Sequence, residues 1–277
     1  MPAYIGVNGK AKAIAKVYKG DSNGKAQLIW GPKGIVKYTG NIKDLSAARH
    51  LLAATTVGNY ALFGGGFGNT ANGGINYLST VDAYNTSLTR TTATSLNAAR
   101  YRFSATTVGN YALFAGGISR ANSTNSYYST VDAYNISLTR TTATDLSEKK
   151  YYLAATTVGN YALFGGGCTG TYSSTSTVDV YDSSLTRTTA TSLNEVRDEL
   201  GATTVGNYAL FGGGLNRGHY SSRTVDVYDS SLTRTTATSL SQSRSSSEAT
   251  TVGNYALFGG GRSSNALSTV DAYYIWE

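Results

Sequence analysis

The sequence predicts an all-β chain, a five-bladed β-propeller of four-stranded antiparallel blades. Three observations predict it. The string TTVGNYALF occurs five times, with its tyrosine at Tyr60, Tyr111, Tyr161, Tyr208 and Tyr255. A second string, TVDAY or TVDVY, follows each copy and ends at Tyr84, Tyr134, Tyr181, Tyr228 and Tyr273. A third, SLTRTTAT, follows the first four copies only. Repeats of this length mark units that cannot bury their apolar faces alone and must stack.

Each copy reads as strands A to D. Strand A is the Ala-Thr-Thr-Val run, Ala54 to Val57 in the first copy. Gly58-Asn59 suits a two-residue hairpin turn, because both residue types tolerate positive φ. Strand B, Tyr60 to Phe63, is apolar on both sides, as an inner strand between two neighbours should be. Strand C is Thr80 to Tyr84, and the turn Asn85 to Ser87 leads into strand D, Thr89 to Leu96. The threonines of strand D suit an outer strand with one wet face.

The fifth copy stops after strand C. Residues 36–45 align with Ser87 to Leu96, so the segment around Gly34 to Lys43 is expected to supply the missing strand D and close the ring. The predicted domains are therefore 1–34, a β-hairpin attachment module, and 35–277, the propeller. Within the first, Asn8-Gly9 and Asn23-Gly24 each sit between short alternating runs, a strong hairpin signal.

Each copy also carries a diglycine after strand B, for instance Gly65-Gly66 and Gly116-Gly117, and then the strand C tyrosine. In these features residues 35–277 resemble kelch-repeat propellers. The tryptophan that kelch repeats carry in strand D is absent, and threonine stands there instead. The run YIGVNGKAKAI resembles short repeats of phage and prophage tail-associated proteins. That likeness implies attachment to other virion or tail proteins through residues 1–34.

Composition narrows the function. The formal charge of +7 lies entirely in residues 1–43, which hold eight Lys and one acid. The remainder is neutral, which disfavours nucleic acid as a partner. No apolar run is long enough to insert in a membrane, and one cysteine, Cys168, excludes a disulfide framework. The N-terminus has no charged-then-apolar leader pattern. The likeness to tail-associated repeats implies the virion, or outside the cell after lysis, as the setting; the lack of a leader pattern fits that and the cytoplasm equally.

The copies differ in two places only. One is the B–C loop: residues 67–78, 118–128, 168–175, 215–222 and 262–267. The other is the D–A segment: residues 46–53, 97–104, 147–154, 194–201 and 241–248. In an up-and-down meander both lie on the same face. Loops varied on a rigid frame are where binding is usually placed. The candidate ligand-binding residues on that face are His50, Tyr77, Tyr101, Arg102, Tyr127, Tyr128, Tyr151, Tyr152, Asp198, Arg217, His219, Tyr220 and Arg262. Tyrosine offers wide contact and a hydroxyl at low entropic cost, which suits a sugar. A cation recurs at Arg49, Arg100, Lys150, Arg197 and Arg244, around the expected channel mouth; the favoured reading is a bridge to a neighbouring blade, as a matching Arg in kelch repeats implies, and the alternative is a ring of cations that holds an anionic ligand. Asp82, Asp132, Asp179, Asp226 and Asp271 recur in every copy and are expected to pair across strands with Arg90, Arg140, Arg187 and Arg234 where those exist.

The expectation is a non-enzymatic binding protein, tail-associated, whose variable face takes a host-surface glycan or protein. No cofactor and no metal is called for, and a homo-oligomer is compatible with near-identical blades. The alternatives are a structural or decoration protein making only subunit contacts, and a sugar-active enzyme drawing on unrepeated acids such as Glu148, Asp198 and Glu248.

Overall fold

We analysed a computed structural model of the chain. It describes residues 4–7, 10–13, 17–20, 26–30, 40–69, 74–121, 124–170 and 173–275, with side chains from residue 40 onward except at 121. The chain divides into two compact units, Met1–Ile42 and Lys43–Glu277. In the first, Tyr4–Val7 pairs antiparallel with Lys10–Ala13, and Val17–Gly20 pairs with Ala26–Trp30. These are the two expected hairpins; their Asn-Gly tips lie outside the described residues.

The second unit is a succession of antiparallel sheets, each built from one sequence copy. In the first, strands A to D are Ala53–Val57, Tyr60–Gly64, Val81–Asn85 and Arg90–Ala93. The same order recurs in three more sheets that start at Ser104, Ala154 and Gly201. Strand D is shorter than the sequence suggests, because the chain must leave the sheet to cross to the next one. Leu96 falls in that crossing, donates its N–H to the Ser79 carbonyl at 2.7 Å and is buried.

Four apolar cores form between successive sheets. Strand B of one sheet supplies a phenylalanine, which lies on the residue that ends strand B of the sheet before. A Cβ added at Gly64 would stand 2.9 Å from the Phe114 ring, and one at Gly212 would stand 2.7 Å from Phe258. Phe114 and Tyr134 meet edge-to-face at 5.7 Å, and the other copies repeat that pair. This phenylalanine–tyrosine pair fills the space between sheets that lack a strand D tryptophan. Threonine hydroxyls link the inner strands, for example Thr55 to Thr107 at 3.0 Å and Thr203 to Thr251 at 2.8 Å.

The fifth sheet differs from the expectation. Among the described residues it has three strands, Glu248–Val252, Tyr255–Gly259 and Val270–Tyr274. Residues 40–43 form no strand and 34–39 lie outside the described residues, so a closing strand D is not seen. Nor is a fifth core. Inner strands A pack in sequence from the first sheet to the fifth, but the fifth does not pack likewise on the first. Val252 and Val270 are 60% and 61% exposed, whereas the equivalent Val205 and Val225 are 3% and 0%. The architecture is propeller-like, and among the described residues no strand closes it.

Candidate functional site

The recurring cations bridge within the fold and do not ring the channel mouth as free charges. The side chains of Arg49, Arg100, Lys150, Arg197 and Arg244 are fully buried. Each pairs with the strand C aspartate of the sheet its own segment enters. Arg49 reaches Asp82 at 2.6 Å, Arg100 reaches Asp132 at 2.7 Å and Lys150 reaches Asp179 at 2.9 Å; Arg197 pairs with Asp226, and Arg244 with Asp271 at 2.5 Å. The expected strand D partners are present as well, for instance Arg140 to Asp132 at 2.8 Å and Arg234 to Asp226 at 2.9 Å. A third contact had no sequence signal. A backbone N–H at the exit of the previous sheet, such as that of Asn97, donates to the same aspartate. In the first four sheets two cations and an amide thus surround one buried carboxylate. Burial pushes the Arg100 guanidinium below its ordinary value, and Asp132 pulls it back. These five positions belong to the frame.

The D–A segment and the B–C loop of each sheet are joined. His50, Tyr101, Tyr151, Asp198 and Ser245 form bridges to Phe67, Ile118, Cys168, Leu215 and Arg262, the residues that follow each diglycine. The diglycine permits this approach. Gly117 has φ of 108°, and a Cβ there would lie 2.9 Å from Phe103 Cβ and 3.1 Å from the Tyr101 carbonyl oxygen. Beyond the bridge the loops of the first three sheets extend as small hairpins: Phe67–Asn69 with Ile75–Tyr77, Ile118–Ala121 with Thr124–Tyr127, and Cys168–Gly170 with Ser173–Ser174.

One residue further along, the five segments make a second regular feature that sequence reading missed. Leu51, Arg102, Tyr152, Glu199 and Ser246 all adopt left-handed φ, between 51° and 56°. Such a conformation costs a residue with a side chain about 1–2 kcal/mol. Backbone bonds hold it: Arg102 N–H donates to Leu51 O at 3.2 Å, Tyr152 to Arg102 at 2.9 Å, Glu199 to Tyr152 at 3.0 Å and Ser246 to Glu199 at 2.8 Å. Five different side chains therefore occupy one geometric position, and all five line a central cavity of about 540 Å³.

The surroundings of the cavity are divided. On the side of the first three sheets stands an aromatic wall. Phe67 lies 4.0 Å from His50 and 4.9 Å from Tyr101; Tyr77 stacks on Tyr101 at 5.4 Å, and Tyr127 stacks on Tyr151 at 5.4 Å. Arg102 spans the wall, its guanidinium carbon 5.2 Å from the Tyr101 ring and 4.4 Å from Tyr152. Burial raises the hydroxyl pKa of Tyr101, Tyr151 and Tyr152, so all three are protonated donors at neutral pH. On the side of the last two sheets the groups are polar. Glu199 pairs with Arg262 at 3.6 Å and accepts from the Ser246 hydroxyl at 2.5 Å. Asp198 is buried, accepts from Ser174 Oγ at 2.6 Å, and has its pKa raised by burial.

Of the predicted residues, Arg102, Tyr152 and Arg262 line the cavity. His50, Tyr77, Tyr101, Tyr127 and Tyr151 form the wall. Tyr128 is half-buried, with its hydroxyl 2.9 Å from Ser119 Oγ. Arg217, His219 and Tyr220 sit on the exposed tip of the fourth loop, where Asn216 Oδ1 accepts from the Gly218 and Tyr220 N–H groups; they do not line the cavity. Among the described residues no three His, Cys, Asp or Glu side chains cluster as a metal site.

No protein-family profile matches the chain, and no curated protein matches its sequence. Its fold does match solved structures. A structure of YjhT, a kelch-type fold, superposes with a TM-score of 0.67 over 92% of this chain and 87% of that one, at 13% identity. At that identity the likeness concerns the fold.

Proposed function

We propose that this chain is a non-enzymatic recognition protein whose variable face binds a glycan, on a host surface and from a phage or prophage tail. One observation carries the reading: segments that differ among otherwise copied sheets converge on a single cavity lined by Leu51, Arg102, Tyr152, Glu199 and Ser246, with stacked tyrosines beside it. A sugar presents apolar ring faces to aromatics and hydroxyls to polar partners. Residues 1–34 would attach the protein to other virion components; the likeness of YIGVNGKAKAI to tail-associated repeats supports that role. A host-surface protein is the alternative ligand, and a purely structural role is the competing reading.

The test is binding of the purified chain to a glycan panel and to intact bacterial cells, beside Tyr101→Ala/Tyr152→Ala. Binding that the double variant loses supports recognition at the cavity. If the wild type binds neither glycans nor cells, the structural role takes its place.

The same proposal includes a closed five-bladed ring, with residues 34–43 as strand D of the fifth sheet. Support comes from where the chain enters the first sheet. The Tyr84 hydroxyl donates to Lys43 O at 2.7 Å, as the Tyr134 hydroxyl donates to Thr94 O at 2.7 Å after a strand D. Ser46 N–H donates to Asp82 at 2.9 Å, in the way Asn97 N–H donates to Asp132. A chain starting at residue 35 should keep the unfolding midpoint of the full chain, and one starting at residue 44 should lose several degrees. Equal midpoints for both would exclude the closing strand.

A further inference from the structure

We infer that the cavity takes a saccharide bearing an oxyanion, and that Arg102 is the residue that pairs with it; this rests on the glycan-binding reading above. The frame holds the five repeated cations against aspartates, and Arg102 stands apart from them. Its guanidinium lies over Tyr152 and Tyr101. Its buried Nε has no hydrogen-bond partner, as in seven arginines of the frame, so what sets it apart is that rings stand beside it where those have an aspartate. The carboxylate at the equivalent position in the fourth sheet, Glu199, is already engaged by Arg262 and Ser246. Nothing in the fold requires a cation at position 102, since Leu51, Tyr152, Glu199 and Ser246 fill the same left-handed position elsewhere.

Stacking uses the faces of a guanidinium and leaves its in-plane N–H donors free. Held against two rings, Arg102 has fewer orientations to lose on binding. A carboxylate, sulfate or phosphate presents oxygens in the spacing that a guanidinium edge bonds as a pair. The adjoining tyrosines would take the sugar ring, so one ligand with an apolar face and one oxyanion satisfies both features. A cavity of about 540 Å³ has room for one or two sugar residues.

The experiment uses the full chain and a panel of glycans in matched neutral, uronate, sulfated and phosphorylated forms, followed by calorimetry on the strongest hit. Hits are expected among charged members and not among their neutral counterparts, and which acid group wins identifies the oxyanion. Arg102→Gln should weaken that hit by about tenfold or more, the scale of a lost charge-assisted pair, and Arg102→Lys should restore part of it. Affinity of the wild type should also fall as salt is raised, a readout that does not depend on a variant folding. Equal binding of neutral counterparts, or a charged hit untouched by Arg102→Gln and by salt, overturns the inference and leaves glycan binding standing. No hit on any form overturns both.

Discussion

Two positions in the D–A segments, two residues apart, show how differently the same repeat is used. At the first stand Arg49, Arg100, Lys150, Arg197 and Arg244, always cationic and always fully buried against an aspartate. At the second stand Leu51, Arg102, Tyr152, Glu199 and Ser246, of unrelated chemistry and all lining one cavity. The first is held constant because a buried carboxylate without its cation is costly. The second is held only in backbone conformation, by N–H to carbonyl bonds from sheet to sheet, which leaves its side chain free to vary. Identical residues around a ring mark the frame, and equivalent positions with different residues mark the surface that can discriminate.

The largest expected effect sharpens that contrast. Asp132→Ala strands Arg100, which has no access to water, and also frees Arg140. Removing one partner of a buried pair costs about 3–5 kcal/mol. Urea unfolding should show a loss of that size. Glu199→Ala removes an acid paired with the 61% exposed Arg262, and such a pair is worth about 1 kcal/mol or less. Comparable losses for the two would erase the distinction between the positions.

Four four-stranded sheets, the A–B turns and the joining of the two variable segments were legible in the sequence, because repetition shows what stays and what changes. The location of the cations was not. A charge beside variable residues looks like part of the binding surface, and only the strand register brings Arg100 under Asp132. The left-handed ring was hidden for a related reason. Glycine announces positive φ, but here neighbouring backbone imposes it on Leu, Arg, Tyr, Glu and Ser. Nor does sequence distance show that Tyr77 stacks on Tyr101 across two sheets. Arg217, His219 and Tyr220 were grouped with the rest because their loop varies, yet the fourth loop turns tightly on Asn216 and keeps them off the cavity.

A middle-sized effect separates folding from recognition within the aromatic wall. Tyr101→Ala removes the stack with Tyr77 and one of the two rings beside Arg102. An aromatic pair is worth about 0.5–1.5 kcal/mol beyond its buried area, so a stability loss of about 1–2 kcal/mol is expected, below that of Asp132→Ala. Glycan affinity should fall further than stability does, as seen by calorimetry on the folded variant. A variant that unfolds like Asp132→Ala would place Tyr101 with the frame.

The smallest effect has the opposite sign. Asp198 sits where Tyr101 and Tyr151 sit in their own sheets, forming the bridge to the residue after the diglycine. Burial raises its pKa, and the nearby Glu199 adds to the shift, while the hydrogen bond from Ser174 opposes it. A carboxyl whose folded pKa is raised stabilises the fold when protonated. That contribution is complete below the unfolded value near 3.9 and is lost as pH rises through the folded value. At neutral pH the charged form is therefore a burden that asparagine does not carry, and the asparagine carbonyl still accepts from Ser174. Asp198→Asn should raise stability slightly at pH 7, and the gain should shrink as pH is lowered into the carboxylate range. A variant less stable at pH 7 would mean that the charge of Asp198 is needed where it lies, and would move this residue from the variable surface into the frame.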